Sequence, residues 1–151
     1  MNRIDEVFNK LKEENKKALI PFISNGDPSI DATVETILEL EKSGADIVEI
    51  GIPFSDPLAD GPVIQESYIR ALKGGVKVKD VFETVKRVRE NSSIPVVIMV
   101  YYNLVFSYGT EKFLEDAEKA GVDGLIVPDF PLEEREELKA ECDKNWIYLI
   151  P

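Results

Sequence analysis

The sequence predicts an α/β fold of parallel strands: an N-terminal helix, about four βα units and a fifth strand, arranged as a partial TIM (β/α)8 barrel. Three observations carry this. Segments with helical and strand-like patterning alternate regularly, which calls for parallel strands joined by crossover helices. The run Pro95 to Tyr101 is apolar without alternation, as in a strand covered on both faces. The motif-rich segments Gly26-Asp27-Pro28, Pro53 to Pro62, Asn103 and Pro128 to Pro131 all follow strands. In a barrel such loops share the face that holds the chemistry. The alternative is an open doubly wound sheet. The first loop, Ser24-Asn25-Gly26-Asp27-Pro28, lacks the glycine spacing that seats a pyrophosphate there.

The elements follow in order. Ile4, Val7, Phe8 and Leu11 fall on one helical face over residues 3–14. Ala18 to Ile23 reads as a strand ended by the turn Asn25-Gly26-Asp27-Pro28. Ser29 or Asp31 can cap a helix through Val34, Ile37, Leu38 and Glu41, which stops at Ser43-Gly44. Asp46 to Gly51 is the second strand. Val63 to Leu72 and Lys79 to Glu90 are helices, and Pro95 to Tyr101 is the third strand. Thr110 is expected to cap a helix from Glu111 to Ala120. Val122 to Val127 is the fourth strand, Leu132 to Lys144 a helix, and Trp146 to Ile150 the fifth strand. Residues 42–48 and 119–127 repeat one pattern, helix end, Gly, Asp, strand.

The 151 residues suffice for one domain with a core, and 1–151 reads as a single, truncated barrel domain. A net charge of −11 argues against nucleic acid and anionic membranes, which reward Lys and Arg clusters. No apolar run approaches the ~20 residues of a membrane span, and the polar start is unlike a signal peptide, so a cytoplasmic setting is expected. With one cysteine, Cys142, neither an intrachain disulfide nor a cysteine metal cluster is expected. Its neighbours Glu141 and Asp143 disfavour a thiolate.

The most informative stretch is Asp46 to Pro62. Glu49 sits in a Val/Ile strand, and Asp56 and Asp60 follow in a loop stiffened by Pro53, Pro57 and Pro62. The chain has no histidine, so acid–base work must fall to carboxylates, Tyr or Lys. If Val48 and Ile50 pack on the helices, Glu49 points into the barrel, where desolvation raises its pKa. The competing reading is a structural glutamate paired with a lysine. Asp56 and Asp60 can equally be turn formers, and Asp27 and Asp129 turn or cap residues. Phe22, Tyr101, Tyr102 and Val127 lie at strand ends, either in the core or lining an apolar pocket. The acidic run Glu133 to Glu137 reads as a solvated helix face.

The segment Glu49-Ile50-Gly51-Ile52-Pro53-Phe54-Ser55-Asp56-Pro57-Leu58-Ala59-Asp60-Gly61-Pro62 resembles the signature of the tryptophan synthase alpha subunit family. Ile20-Pro21-Phe22-Ile23 with Gly26-Asp27-Pro28, Tyr101-Tyr102-Asn103 and Val127-Pro128-Asp129-Phe130-Pro131 agree with it. The resemblance implies a TIM barrel and retro-aldol cleavage of indole-3-glycerol phosphate to indole and glyceraldehyde 3-phosphate. By that analogy Glu49 is the general acid–base and Asp60 meets the indole N–H. Phe22, Tyr101 and Val127 fall at indole-pocket positions. Pro53, Asp56 and Asn103 belong to the surface that docks on the beta subunit. The alpha subunit uses no cofactor, pyridoxal phosphate belonging to the partner, and no metal. A full barrel needs about 250 residues. The family's phosphate grip, backbone amides and a serine after later strands, lies beyond strand five. This chain is therefore expected to be a truncated or engineered form, weakly active or inactive alone, with exposed strand edges that favour self-association. A non-catalytic fragment or scaffold is the alternative reading.

Overall fold

A computed structural model of the chain describes residues 2–151, apart from the Leu132 side chain. Five parallel strands, β1 (Phe22–Ser24), β2 (Val48–Gly51), β3 (Val96–Met99), β4 (Gly124–Ile126) and β5 (Tyr148–Ile150), lie in the sheet in chain order. A doubly wound sheet puts neighbours on both sides of its first strand. Here β1 is an edge, so the doubly wound alternative fails and the order is that of a barrel arc. The helices are α1 (Arg3–Glu13), α2 (Ile30–Lys42), α3 (Pro62–Lys73), α4 (Asp80–Arg89), α5 (Tyr102–Tyr108), α6 (Thr110–Ala120) and α7 (Arg135–Lys144).

Local chemistry explains the helix ends. Asn2 accepts from the Ile4 amide at 2.9 Å while Asp5 accepts from the Asn2 amide at 3.2 Å, a reciprocal capping box on α1. Ser29, not Asp31, caps α2, accepting from Ala32 N at 3.1 Å. Thr110 does not cap α6: it is the first helical residue, and Gly109 precedes it with no side chain to offer. Helix α5 has no counterpart in the sequence reading. Its 7 residues are too few to show a period. Its first amide, Tyr102 N, donates to Asp129 Oδ1 at 2.8 Å, so its cap comes from the loop after β4. Trp146 lies outside β5, exposed and with a left-handed φ of 57°.

The sheet has two chemically distinct faces, set by strand alternation. Val48, Ile50, Ile52, Val96, Ile98 and Leu125 pack outward against buried residues of the helix layer, among them Ile37, Val81, Val85 and Phe113. Each such side chain contributes about 1.5–3 kcal/mol on full burial, so this layer holds most of the apolar stabilisation. The inner face carries a smaller cluster of Ile47 and Val97 with Ile4 of α1, flanked by Val7, Ile126 and Ile150. Helix α1 thus closes the inner face from below.

Below the strands, Asp123 is a buried hub. Its carboxylate accepts from Arg3, Arg89 and the Val96 amide at 2.8, 2.8 and 2.9 Å. Its carbonyl accepts from Asn2 Nδ2 at 2.9 Å and Tyr148 N at 3.0 Å. One residue therefore joins α1, α4, β3 and β5. Helix α4 is the crossover between β2 and β3, packing beside α2 and α6. Helix α3 instead packs against β1. It is tied there by Ser24 Oγ to Ser67 Oγ at 2.6 Å and by Arg70, which forks onto the Asp27 carboxylate at 3.0 and 2.8 Å. Asp27 is thus an ion-pair residue as well as part of a turn.

Candidate active site

The register places Phe22 of β1 beside Glu49 of β2, and Glu49 beside Val97 of β3. Since Val97 belongs to the inner cluster, Glu49 points inward too. It is half-buried, and among the described residues it forms no ion pair, so a lysine-paired structural role finds no support. Burial in this apolar setting pushes its carboxyl above the ordinary carboxylate range. A carboxyl so placed can hold a proton closer to neutrality and pass it on.

Asp60 closes the loop after β2. Its Oδ2 accepts from the Tyr101 hydroxyl at 2.9 Å. That same hydroxyl accepts from the Ala59 amide at 2.9 Å, so one phenol fixes both the loop backbone and the carboxylate. Tyr101 is itself fixed: it is buried, and its ring lies 5.0 Å from that of Phe54. Burial first, and then the bond to Asp60, push its phenol up to about 12, so it stays a donor at any physiological pH. Gln65 Nε2 donates to the Asp60 carbonyl at 2.8 Å, anchoring the junction with α3.

A close approach at Gly51 shapes this region. A Cβ there would stand 2.5 Å from Phe22 Cζ and 2.5 Å from the Tyr68 hydroxyl. Only glycine lets the Phe22 ring and the α3 phenol meet over the inner face. Tyr68 was not singled out in the sequence. One signal was available, a glycine inside a strand pattern, which marks close approach by a neighbour.

The expected residues do not all converge. Phe22, Glu49, Tyr101 and Asp60 belong to the inner face and the mouth above it. Val127 does not: two residues beyond Leu125, it faces outward and packs with the helix-side core, while Ile126 takes the inner side. Among the surface positions, Asp56 and Asn103 are exposed, but Pro53 is buried and presents nothing to a partner. Leu58 and Phe106 are open instead, at 92% and 68% exposure. Cys142 is buried, and burial pushes its thiol up to about 12. Among the described residues no group of three metal-ligating side chains is placed to hold a metal ion. No described helix is long and apolar enough to cross a membrane.

Comparison with known proteins bears on the same residues. The family model for tryptophan synthase alpha chain matches residues 8–151. The tryptophan synthase alpha chain of Caldanaerobacter subterraneus subsp. tengcongensis is 63% identical over 151 residues, covering all of this chain and 58% of the relative. The crystal structure of tryptophan synthase subunit alpha from Legionella pneumophila str. Paris superposes with a TM-score of 0.96 at 43% identity, over 99% of this chain and 57% of that one. A Pyrococcus furiosus structure, described as the tryptophan synthase a2b2 complex, gives a TM-score of 0.84 at 42% identity over 87% of this chain and 56% of that one. The chain thus spans somewhat over half the length of the relatives it matches. On these grounds the chain belongs to the tryptophan synthase alpha chain family.

Proposed function

We propose that the chain carries the acid–base half of a carbon–carbon lyase site that cleaves indole-3-glycerol phosphate to indole and glyceraldehyde 3-phosphate. The observation that carries the reading is Glu49: a desolvated carboxyl with no ion pair among the described residues, on the inner face beside Phe22. In the cleavage, a proton is delivered to C3 of the indole and one is taken from the hydroxyl on the adjoining carbon. The bond between those carbons breaks, its electron pair returns to the ring, and the carbinol becomes the aldehyde. Glu49 handles these transfers, and the site needs no metal or cofactor for them. Asp60, held by Tyr101, faces the ring nitrogen and stabilises the positive charge that C3 protonation creates. Phe22 supplies an apolar wall.

By themselves the 151 residues have little lyase activity, because the family's phosphate grip lies after later strands and its binding energy positions the reacting atoms. The test is complementation. The chain is mixed with the remaining C-terminal portion of the Caldanaerobacter relative, and indole release is followed. Cleavage is expected from the mixture and is lost at least about 100-fold with Glu49→Gln, the range of a general acid–base. A mixture that cleaves equally well with Glu49→Gln refutes the reading.

We assign the open surface of Leu58, Phe106, Asp56 and Asn103 to a beta subunit. It combines large exposed apolar side chains with polar neighbours beside the site's mouth. The outer edges of β1 and β5 lack strand partners among the described residues. That favours self-association of the chain on its own, which sedimentation would reveal. A cytoplasmic setting accompanies this biosynthetic role.

A further inference from the structure

Tyr68 has no place in the proposed chemistry, yet its environment is unusual. It is fully buried, and among the described residues its hydroxyl has no hydrogen-bond partner. A buried hydroxyl without a partner is disfavoured, and apolar side chains of similar shape avoid the problem. The hydroxyl is not lost in the helix layer. It rests over Gly51 at the level just above Glu49, beside the tip of the Phe22 ring. The missing Cβ of Gly51 makes room for it. The Asp60 charge lies near enough to hold the phenol protonated, adding to the effect of burial. Asp60 has one oxygen engaged by Tyr101, Oδ2. Asp60 and Tyr68 are linked by the first turns of α3, which starts at Pro62 directly after the loop.

We propose that Tyr68 is a positioning residue for Asp60: when an indole-type ligand occupies the site against the Phe22 ring, the Tyr68 hydroxyl donates to the Asp60 carboxylate oxygen that Tyr101 leaves free. Two phenols then clamp the carboxylate from two sides and aim its remaining lone pairs at the ring N–H. In the free chain the donor is held in reserve. The inference rests on the proposed role of Asp60 and deepens it.

The probes are indole and indene, which share size and shape but differ in the N–H. Both are titrated into the chain by NMR, for the wild type and for Tyr68→Phe, with thermal unfolding measured in parallel. Tyr68→Phe is expected to weaken indole binding about 5- to 10-fold and leave indene binding unchanged. Its Tm stays level or rises, since the lost hydroxyl had no partner. In an Asp60→Asn background, Tyr68→Phe has no further effect on indole. Equal loss for both probes, no loss for indole, or a lowered Tm would overturn the inference and leave the site reading intact. Absence of indole binding by the wild-type chain would overturn the pocket reading itself, and this inference with it.

Discussion

Replacing Asp123 by alanine should be the most damaging single change in the floor of the fold. The carboxylate is 3% exposed and meets two arginines and one amide. Removing it leaves the buried Val96 N–H without an acceptor, worth about 1–3 kcal/mol. It also leaves Arg89, whose side chain is 14% exposed, without its counter-charge. Breaking one partner of a buried ion pair costs about 3–5 kcal/mol. Arg89 keeps the Gly121 and Ile94 carbonyls as acceptors, which offsets part of that loss. Arg3 is 40% exposed, so its pair adds about 1 kcal/mol at most. With that offset the total for Asp123→Ala is about 4–7 kcal/mol, a large share of the ~5–15 kcal/mol that holds an ordinary domain folded. Asp123→Asn keeps an acceptor for the Val96 amide and should lose about 1–2 kcal/mol less. Arg3→Ala should lose about 0–1 kcal/mol. Urea unfolding followed by far-UV circular dichroism checks this, with the midpoint falling at constant slope. If Asp123→Ala costs no more than Arg3→Ala, the hub is ornamental and the reasoning fails.

Three further outcomes are expected. Gly51→Ala should cost about 1–3 kcal/mol through overpacking, and NMR should show the Phe22 ring displaced; an unshifted ring with full stability would contradict the close approach. Glu49 binds its proton more tightly when folded than at its ordinary value of 4.5. Its protonated form thus favours folding, a contribution complete below 4.5 and lost as pH rises through the higher folded value. Glu49→Gln should therefore gain stability over the wild type as pH rises from 4 to 7, and an advantage that shrinks instead reverses the sign. Cys142, buried and with its thiol pushed up to about 12, should resist a thiol reagent at pH 8 until urea unfolds the chain.

Much of the fold was legible because it rests on period and composition. The outward apolar positions of β2 and β3 are a continuous pattern, and fixing them fixed the inward direction of Glu49. Alternation alone serves a barrel or a doubly wound sheet, so the strand order was legible only through the motif-rich loops after the strands and the missing glycine spacing; hydrogen bonding between strands decides it. Asp129 reads as a turn or cap residue in the sequence, but the helix it caps, α5, escaped because the cap reaches it from the loop after β4. Thr110 misled because it stands where a cap belongs, yet the chain turns one residue earlier at Gly109. Val127 was placed by analogy with its motif, and the alternation of β4 turns it away from the site. Tyr68 reads as an ordinary helical position, and only the space over Gly51 reveals where its hydroxyl goes.

The Asp123 hub lies at the ends of the strands opposite the Asp60 loop, and this separation has a consequence for how the sequence can vary. The buried polar hub that ties the elements together sits at one pole of the molecule and the chemistry at the other. A saturation library read simultaneously for abundance and for ligand binding should therefore split into two spatial sets. Changes around Arg3, Arg89 and Asp123 would lower abundance, and changes between Phe54 and Gly61 would alter binding with abundance retained. Such a chain can be redesigned at its mouth for a new aromatic ligand without renegotiating its floor.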